Sequence, residues 1–368
     1  MSVFIHQLAG WPLFKWDNER LHLLLTEVRH QQGKLLGRME RLGFALQSEA
    51  TLQTLTLDVL KSSEIEGELL DEQQVRSSIA RRLGIDIAGM ITADRHVEGI
   101  VEMMLDATQH FDQPLTEERL FGWHAALFPT GRSGMHKIVI GAWRNNSPHD
   151  PMQVVSGAMG KETIHYEAPA AALLSDEMNR FLQWFNETIN TDPVLKAAIV
   201  HLWFVTIHPF DDGNGRIARA VADMQLARAD GTAQRFYSMS TQIRKERNAY
   251  YDILEKTQRG NLDITEWLEW FLQCLHRAMN ASEEILSAVL KKAVFWKAHE
   301  KTIFNQRQVL LLNKLLDGFD GKLTTSKWAK ISKCSHDTAL RDIQGLLNKK
   351  VLVNDAGGGR STGYLLKT

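Results

Sequence analysis

The chain has 368 residues and a formal net charge of −1, with 43 basic and 44 acidic side chains, so as a whole it is neither a basic nor an acidic binder. Its two cysteines, Cys274 and Cys334, lie far apart, which excludes a disulfide framework and a zinc spacing and favours a reducing cytoplasm. The length predicts two or three domains, and only eight prolines favour a mainly helical fold.

Residues 1–95 are predicted to form a helical N-terminal extension. The opening residues lack the pattern of a secretory signal, and no apolar run approaches a membrane span, so we expect a cytoplasmic protein without a membrane partner. Asp17 is suited to cap a long helix, whose apolar residues recur periodically over residues 21–45. Apolar residues recur at helical spacing again over residues 57–69.

Residues 96–285 are predicted to form a central domain. Residues 134–166 are rich in loop formers and short strand-prone segments, and residues 193–207 are predicted as a helix. A further helix, from residue 215 to about residue 229, is apolar on several sides. Such a helix should be central and buried.

The stretch that joins these two helices, residues 208–219, reads HPFDDGNGRIAR. A glycine loop that opens a helix presents backbone N–H groups to an anion, and the helix dipole favours negative charge there. Arg216 and Arg219 are three apart and therefore share one face of that helix. Asp212 supplies a hard oxygen ligand suited to Mg²⁺, and His208 can take up a proton near neutral pH. Together these groups are suited to binding a polyphosphate, with a base beside it that can accept the proton of an attacking hydroxyl.

The same letters also fit a loose dinucleotide-binding fingerprint, Gly-x-Gly-x-x-Gly/Ala, at residues 213–218. That motif needs a preceding strand and an acidic residue about 20 positions later. Asp230 is roughly in range, so the acidic residue does not decide. The preceding run, residues 193–207, is too long for a typical strand, which makes this interpretation the weaker one.

Residues 208–219 resemble the signature of Fic-domain proteins, His-Pro-Phe-x-Asp/Glu-Gly-Asn-Gly-Arg-x-x-Arg, with every specified position filled. Most Fic proteins are adenylyltransferases, which move AMP from ATP onto a side-chain hydroxyl of a target protein. The resemblance implies that His208 is the general base, that Asp212 holds Mg²⁺ and that Arg219 reaches the terminal phosphate. It also implies an anion hole for the phosphates, formed by Gly213, Asn214, Gly215 and Arg216. The aspartate at position 212 argues against the Fic subgroup that phosphorylates its targets, which carries a lysine there.

Upstream, residues 62–67 resemble the Fic inhibitory-helix motif, Ser/Thr-x-x-x-Glu-Gly/Asn, which is filled by Ser62, Glu66 and Gly67. In the family the glutamate pairs with the second arginine of the signature, Arg219 here, and occupies the place of the ATP γ-phosphate. Because the motif precedes the core, the resemblance implies an autoinhibited class II Fic protein. Some Fic proteins also use this glutamate to position water for AMP removal, so a de-AMPylating enzyme stays open.

Two further expectations follow from the resemblance. Residues 152–157 correspond to the Fic β-hairpin flap, on which an extended stretch of the target protein docks as an added strand. Tyr250 and Tyr251 fit the helices after the signature, where an aromatic ring stacks on the adenine. The nearby Trp267 and Trp270 are more typical of core packing.

The tail differs in charge from the rest of the chain. Residues 301–368 carry 12 basic and five acidic side chains, a net of +7, which leaves −8 for residues 1–300. The pattern predicts three helices and then a short hairpin, over residues 309–316, 326–332, 335–348 and 351–366. This order resembles a winged helix-turn-helix domain.

Such a domain would bind DNA or a protein through residues 301–368. The residues expected to face a DNA groove are Ser335, His336, Asp337, Thr338 and Arg341, with Arg360 at the tip of the wing. Asp337 and Asp342 on the same helix oppose DNA binding, and winged helices also mediate protein contacts, so a protein partner or a homodimer stays open.

We therefore predict a mainly α protein with a helical extension (1–95), a Fic core with a β-hairpin flap (96–285), and a connector helix with a winged helix-turn-helix domain (286–368). The predicted reaction is the transfer of AMP from Mg²⁺-ATP to a Ser, Thr or Tyr hydroxyl of a target protein, held back by Glu66. The alternative from another class is a DNA-binding regulator whose Fic core senses nucleotide. The intact His208 weighs against it, because a sensor needs no base.

Overall fold

The computed structural model describes residues 4–87, 89–157, 163–187, 190–316, 318–319, 321–355 and 363–367, without the side chains of residues 45, 284–286 and 288. Over these residues the chain is mainly helical, as predicted. The helices are α1 Asn18–Glu40, α2 Phe44–Ile65, α3 Glu72–Arg82, α4 Arg95–Gln109, α5 Glu117–Leu127, α6 Leu174–Asn186, α7 Pro193–Ile207, α8 Asn214–Asp230, α9 Met239–Lys245, α10 Arg247–Gln258, α11 Thr265–Ala298, α12 Gln306–Leu316, α13 Thr325–Ile331 and α14 His336–Asn348. Short 3₁₀ turns cover Ile5–Gln7 and Ala171–Leu173.

The strands are short and pair in three antiparallel hairpins within the described part of the chain. They are β1 Arg132–Ser133 with β2 His136–Lys137, β3 Gln153–Ser156 with β4 Thr163–Glu167, and β5 Leu352–Asn354 with β6 Tyr364–Leu366. The β3–β4 ladder shifts register between Val154 and Val155. The first two hairpins lie in the region predicted to be rich in loops and strands.

Several helices begin at a side chain that accepts a hydrogen bond from the first helical turn, which satisfies an N–H group that has no partner inside the helix. These capping residues are Asp17, Asp71, Asp94, Thr116 and Asp192. The predicted N-cap Asp17 is confirmed, because its carboxylate accepts from the backbone N–H of Arg20 at 3.0 Å. Helix α7 adds proline at its first position, where the missing N–H costs no hydrogen bond.

Helices α7 and α8 form the centre of the core. In α7 every residue from Val194 to Ile207 is buried, and in α8 burial extends over almost the whole of residues 214–227. The two helices pack mainly against each other, and α4, α5 and α2 cover α8. The prediction that the helix after residue 215 is central is confirmed.

The described chain divides into two compact units. One runs through Ile85 and from Ile91 to Glu283, and the other comprises Asp86–Met90 and the chain from Glu284 onward. The second unit contains α12–α14 and the β5–β6 hairpin around a core centred on Trp328. It therefore has the predicted order of helices and hairpin, while Arg360 lies outside the described residues.

Among the described residues, no helix is both long enough and apolar enough to cross a membrane.

Candidate active site at the junction of helices α7 and α8

Helix α7 ends at Ile207, and His208 is its C-cap. The backbone of His208 is left-handed, with φ 52° and ψ 58°, which is uncommon for a residue with a side chain. Its N–H still donates to the carbonyl of Phe204 at 2.9 Å. Pro209 follows, and because proline has no N–H and restricts the residue before it, the helix cannot continue. The turn places the imidazole between the end of α7 and the start of α8.

Arg144, which lies outside α7 in the sequence, binds the C-terminal end of this helix. Its side chain is buried, and its guanidinium donates to the carbonyls of His208 at 2.7 Å and Pro169 at 2.6 Å. Its backbone N–H donates to the carbonyl of Pro209 at 2.9 Å. A cation at a helix C-terminus satisfies free carbonyls and offsets the helix dipole. Burial lowers the pKa of Arg144 to about 10, so it stays charged near neutral pH.

The imidazole of His208 is held in one tautomer. Its Nδ1 lies 3.1 Å from the carbonyl of Val205, and because a carbonyl can only accept, Nδ1 carries the proton. Burial lowers the pKa of His208 to about 4, and the hydrogen bond to Val205 opposes that shift. The ring is therefore neutral near pH 7, with Nε2 unprotonated and able to accept a proton.

The loop from residue 209 to residue 213 is fixed by its neighbours. The amide of Asn214 bonds both backbone groups of Phe210, accepting from its N–H at 2.9 Å and donating to its carbonyl at 2.8 Å. The Phe210 ring stacks on His124 with centroids 4.2 Å apart. Gly213 has φ +81°, and a Cβ there would come within 2.9 Å of the Phe128 ring. Both the backbone conformation and the space therefore require glycine at this position.

Two adjacent aspartates point to different neighbours. Asp211 accepts from the backbone N–H of Val139 at 2.8 Å. Asp212 accepts from the N–H of Gly213 at 2.5 Å through Oδ1 and from the Ser133 hydroxyl through Oδ2. No group of three or more His, Cys, Asp or Glu side chains that could hold a metal occurs in the described part of the chain. The Asp212 carboxylate offers hard oxygen ligands of the kind that Mg²⁺ binds together with phosphate oxygens.

Arg219 is buried and held by the end of helix α2. Its Nη2 lies 2.8 Å from Oε1 of Glu66, and its Nε donates to the hydroxyl of Ser62 at 2.9 Å. Nη2 also donates to the Ser62 carbonyl at 2.9 Å. Burial opposes the charge on Arg219, but the Glu66 carboxylate together with the hydroxyls of Tyr250 and Tyr251 raises the pKa of the guanidinium above its ordinary value. The two predicted inhibitory residues Ser62 and Glu66 thus both contact the arginine expected to bind the terminal phosphate.

The carboxylate of Glu66 lies at the first turn of helix α8. A Cβ built on Gly215 would come within 2.3 Å of Glu66 Oε1, so only glycine leaves room for the carboxylate. Glu66 is the C-cap of α2, and Gly67 turns the chain with φ +87°, a conformation that favours glycine. A carboxylate at a helix N-terminus occupies the place that suits an anionic ligand.

Arg216 is held by a second carboxylate of the same loop. Its Nη1 lies 2.8 Å from Oε2 of Glu68, and its guanidinium lies over the Phe128 ring at 5.1 Å from the centroid. The other Glu68 oxygen bonds Nε2 of His96. That hydrogen bond lowers the pKa of the Glu68 carboxyl and raises the pKa of His96.

The structure separates the two tyrosines after the signature. Tyr250 is 1% exposed and its hydroxyl lies 2.8 Å from Nε2 of His201, so it supports the site from within the core. Tyr251 is partly exposed, with its hydroxyl 3.5 Å from Glu66 Oε2 and its ring under the Arg247 guanidinium at 5.0 Å. The ring of Tyr250 has no exposed face in this arrangement, and its expected nucleotide contact stays a prediction. The nucleotide contact expected of Tyr251 also stays a prediction.

The β3–β4 hairpin is attached to helix α10. Nδ1 of His165 lies 2.6 Å from the carboxylate of Glu255, and the Arg259 guanidinium donates to the His165 carbonyl at 3.0 Å. The hairpin contains the stretch predicted as the flap, residues 152–157, while residues 158–162 lie outside the described residues. The contacts place the flap beside the helix that carries Tyr251.

Sequence reasoning missed several residues that hold the predicted ones in place: Glu68, His96, His124, Ser133 and Arg144. Only Glu68 had a local signal, since it is an acidic residue two positions after Glu66. The others lie far along the chain from the residues they touch: 28 positions for His96 and Glu68, 64 for Arg144 and His208, and 79 for Ser133 and Asp212. Spacing along the chain carries no information about such contacts.

Two family models match the chain. Residues 114–226 match the Fic/DOC family, and residues 4–85 match a domain of unknown function, DUF4172. A protein adenylyltransferase Fic of Aedes aegypti is 26% identical over 268 residues, which is 69% of this chain and 48% of that protein. A protein adenylyltransferase Fic of Culex quinquefasciatus is 33% identical over 114 residues, 30% of this chain and 21% of that protein. The chain thus spans about half the length, or less, of these curated relatives.

Two solved structures resemble the fold. A Fic family protein from Desulfovibrio desulfuricans aligns with a TM-score of 0.51 at 21% identity, over 94% of this chain and 96% of that chain. A Fic domain containing signaling protein from Bacteroides thetaiotaomicron aligns with a TM-score of 0.50 at 20% identity, over 71% of this chain and 97% of that chain. At these identities the likeness concerns the fold alone.

Proposed function

Because residues 114–226 of this chain form a Fic/DOC domain, we propose that the protein is an adenylyltransferase that transfers AMP from Mg²⁺-ATP to a Ser, Thr or Tyr hydroxyl of a target protein. The hydroxyl oxygen attacks the α-phosphorus of ATP, the bond between the α- and β-phosphates breaks, and pyrophosphate leaves. The side-chain proton has to go to a base, and AMP remains attached to the target through the new oxygen–phosphorus bond.

His208 takes that proton at Nε2. The hydrogen bond from Nδ1 to Val205 keeps the other nitrogen unprotonated, and the lowered pKa keeps the ring neutral near pH 7. General base catalysis by a positioned side chain typically contributes about 10²–10⁴-fold. The main support for the proposal is this base, which lies at the N-terminus of helix α8 in the protonation state that the reaction needs.

The phosphates bind at the first turn of helix α8, where the N–H groups of Asn214 and Gly215 and the guanidinium of Arg216 would face the anion, with Arg219 at the terminal phosphate. Preorganised donors of this kind stabilise charge that develops in the transition state. Asp212 would hold Mg²⁺ together with phosphate oxygens. The ion, when bound, neutralises charge on the departing pyrophosphate.

Glu66 keeps the rate of AMP transfer low in this arrangement, without abolishing it. Its carboxylate contacts Arg219 and fills the space at Gly215, so it stands where a phosphate of the nucleotide would bind. ATP therefore binds in a poor geometry until the carboxylate leaves. The same position of Glu66 supports the water-directing role of a de-AMPylating enzyme, which the assay below also reports.

The target protein docks on the flap. Val155 on β3 and Ile164 on β4 are 49% and 44% exposed, and exposed apolar side chains on a two-stranded hairpin suit an added strand from a partner. The attachment of the hairpin to helix α10 through Glu255 would hold that strand beside the base.

Substituting His208 tests the catalytic proposal. With ATP labelled on the α-phosphate, His208→Ala should bind Mg²⁺-ATP nearly as the wild type does, because it removes no phosphate contact, and should lose label transfer by about 10²-fold or more. His22→Ala, an exposed histidine on α1, is the matched control and should transfer normally. Transfer by His208→Ala near the wild-type rate would show that His208 is not the base. AMP removal is tested separately: a target protein that already carries unlabelled AMP would lose it on incubation with the enzyme.

A second candidate function, DNA binding by the second unit, is favoured by the position of Asp342. This aspartate is 3% exposed and its carboxylate accepts from Arg307 at 2.7 Å and from Asn305 at 2.9 Å. It therefore does not face outward from α14 with the exposed Arg341 and Asp337. One of the two acidic residues that oppose DNA binding is thereby removed from the outward surface.

A further inference from the structure

We propose that Glu68 is a second inhibitory carboxylate, which restrains Arg216 as Glu66 restrains Arg219, so that one loop occupies both arginines of the site. The inference rests on the proposed function, since the two guanidinium groups matter here as phosphate ligands. One short segment, residues 66–68, would then control two separate phosphate contacts.

The two pairs have the same geometry. Glu66 Oε1 lies 2.8 Å from Nη2 of Arg219, and Glu68 Oε2 lies 2.8 Å from Nη1 of Arg216. Gly67 lies between the two glutamates with φ +87°, and its left-handed turn directs the chain past the first turn of α8. Because Arg216 and Arg219 share a face of that helix, a single loop can reach both of them.

The second pair is less exposed to water than an ordinary surface ion pair, so solvent and salt screen it less. The side chain of Arg216 is 6% exposed, whereas that of Glu68 is 33% exposed. The arginine is fixed in the protein and the glutamate lies at the solvent side, so the glutamate is the partner that can leave. A nucleotide phosphate that binds Arg216 has to compete with this carboxylate for the same positive charge.

His96 anchors Glu68 in that position. It stands in the first turn of helix α4, and its Nε2 bonds the glutamate oxygen that does not face Arg216. The carboxylate is therefore held from both sides, which reduces the entropy lost in forming the pair with Arg216. Nε of Arg216 is buried without a hydrogen-bond partner among the described residues.

The opposite role for Glu68 makes a different prediction. A carboxylate that merely orients Arg216 toward the phosphate would support ATP binding, and its removal would weaken binding. An inhibitory carboxylate hinders ATP binding, and its removal strengthens binding. The sign of the effect therefore separates the two roles.

The test measures Mg²⁺-ATP binding by calorimetry in the full chain, with His208→Ala present in every variant so that no transfer occurs. Glu68→Ala should bind ATP about tenfold more tightly than its parent, which corresponds to about 1.4 kcal/mol. Glu68→Gln keeps a hydrogen-bond acceptor and loses the charge, so it should show an intermediate gain and provides a variant with little risk to folding. Glu72→Ala, an exposed glutamate of α3, is the matched control and should leave binding unchanged.

Label transfer with His208 intact provides the second measurement. Glu68→Ala combined with Glu66→Gly should transfer AMP faster than Glu66→Gly alone. Unchanged or weaker ATP binding in both Glu68 variants would overturn the inference, and slower transfer by the double variant would identify Glu68 as a residue that orients Arg216. If Glu66→Gly transfers AMP and the Glu68 variants change neither ATP binding nor AMP transfer, only the inference about Glu68 fails. If no variant binds ATP, the proposed function itself fails.

Discussion

At His208 a local strain serves the chemistry. A non-glycine residue in a left-handed conformation costs of order 1–3 kcal/mol and persists only where its surroundings impose it. Here Arg144 imposes it by binding the carbonyls of His208 and Pro169, and the proline after His208 prevents the helix from continuing. The strained turn is what brings the imidazole to the entrance of helix α8, next to the glycine loop.

The pKa of His208 makes a prediction about pH. A base works in its unprotonated form, which exists above its pKa, and burial lowers the pKa of His208 to about 4. AMP transfer should therefore stay nearly constant as pH falls from 8 to about 5.5 and decline only toward pH 4, rather than at the ordinary value near 6.5.

The measurement is the initial rate of label transfer against pH at saturating Mg²⁺-ATP. ATP binding to His208→Ala over the same range is the control, because ATP itself changes charge in this range. A decline in transfer with a midpoint near pH 6.5, at pH values where binding is constant, would show that the ring is exposed to solvent during the reaction.

At the scale of elements, a buried ionic cluster joins helix α2 to helix α8. Arg235 is fully buried and its Nη2 lies 2.8 Å from Asp223 on α8. Asp58 on α2 accepts from the Ser238 hydroxyl at 2.5 Å, and burial raises the pKa of both Asp58 and Asp223. The cluster fixes the helix whose end carries Glu66, so contacts well inside the core also position residues 66–68.

Removing the cation of this cluster should destabilise the first unit strongly. Arg235→Met keeps a similar length but leaves buried carboxyls without their partner, and breaking one side of a buried ion pair costs about 3–5 kcal/mol. Arg20→Met removes the exposed ion pair with Glu269 and should cost less than about 1 kcal/mol.

Urea unfolding followed by tryptophan fluorescence compares the two variants with the wild type. Hydrogen exchange of helix α2 provides a local readout, and it should accelerate in Arg235→Met and not in Arg20→Met. Equal stability losses in the two variants would mean that the cluster contributes no more than a surface pair.

At the scale of the whole molecule, charge is distributed unevenly along the chain. Residues 1–300 carry a net charge of −8 and residues 301–368 carry +7, so the near-neutral total conceals two regions of opposite sign. The first unit contains the Fic/DOC domain and the second has its own core around Trp328. The positive region therefore lies within the second compact unit.

DNA binding by the second unit would depend on Arg341, the exposed arginine of helix α14, together with basic residues elsewhere in the unit. In a gel-shift titration with mixed-sequence duplex, affinity should fall steeply between about 50 and 200 mM salt, because phosphate contacts release counterions. Arg341→Glu should weaken binding and reduce the salt slope by about one contact. Lys15→Glu, which changes the charge equally in the first unit, is the control and should behave as the wild type. Absence of any shift at low salt would favour a protein partner for this unit.

Much of the helical framework and of the site could be predicted from the sequence because the relevant signals are local. Helix α7 begins at Pro193 and ends at Ile207, as predicted from its apolar run. Asp17 caps α1, as its position before the periodic segment indicates. The two signature arginines are three apart, and that spacing alone places both on one face of α8.

What the sequence by itself determined is the set of groups within residues 208–219, since their chemistry and mutual spacing are settled within one loop and one helix turn. The tertiary structure decided which partner each group meets: Glu68 reaches Arg216 across 148 positions and Ser62 reaches Arg219 across 157. It also decided that Tyr250 is buried and Tyr251 partly exposed, because adjacent residues on a helix point about 100° apart and only packing selects the inward one. Contacts between distant segments arise from the packing of whole helices, and no local pattern of residues encodes them.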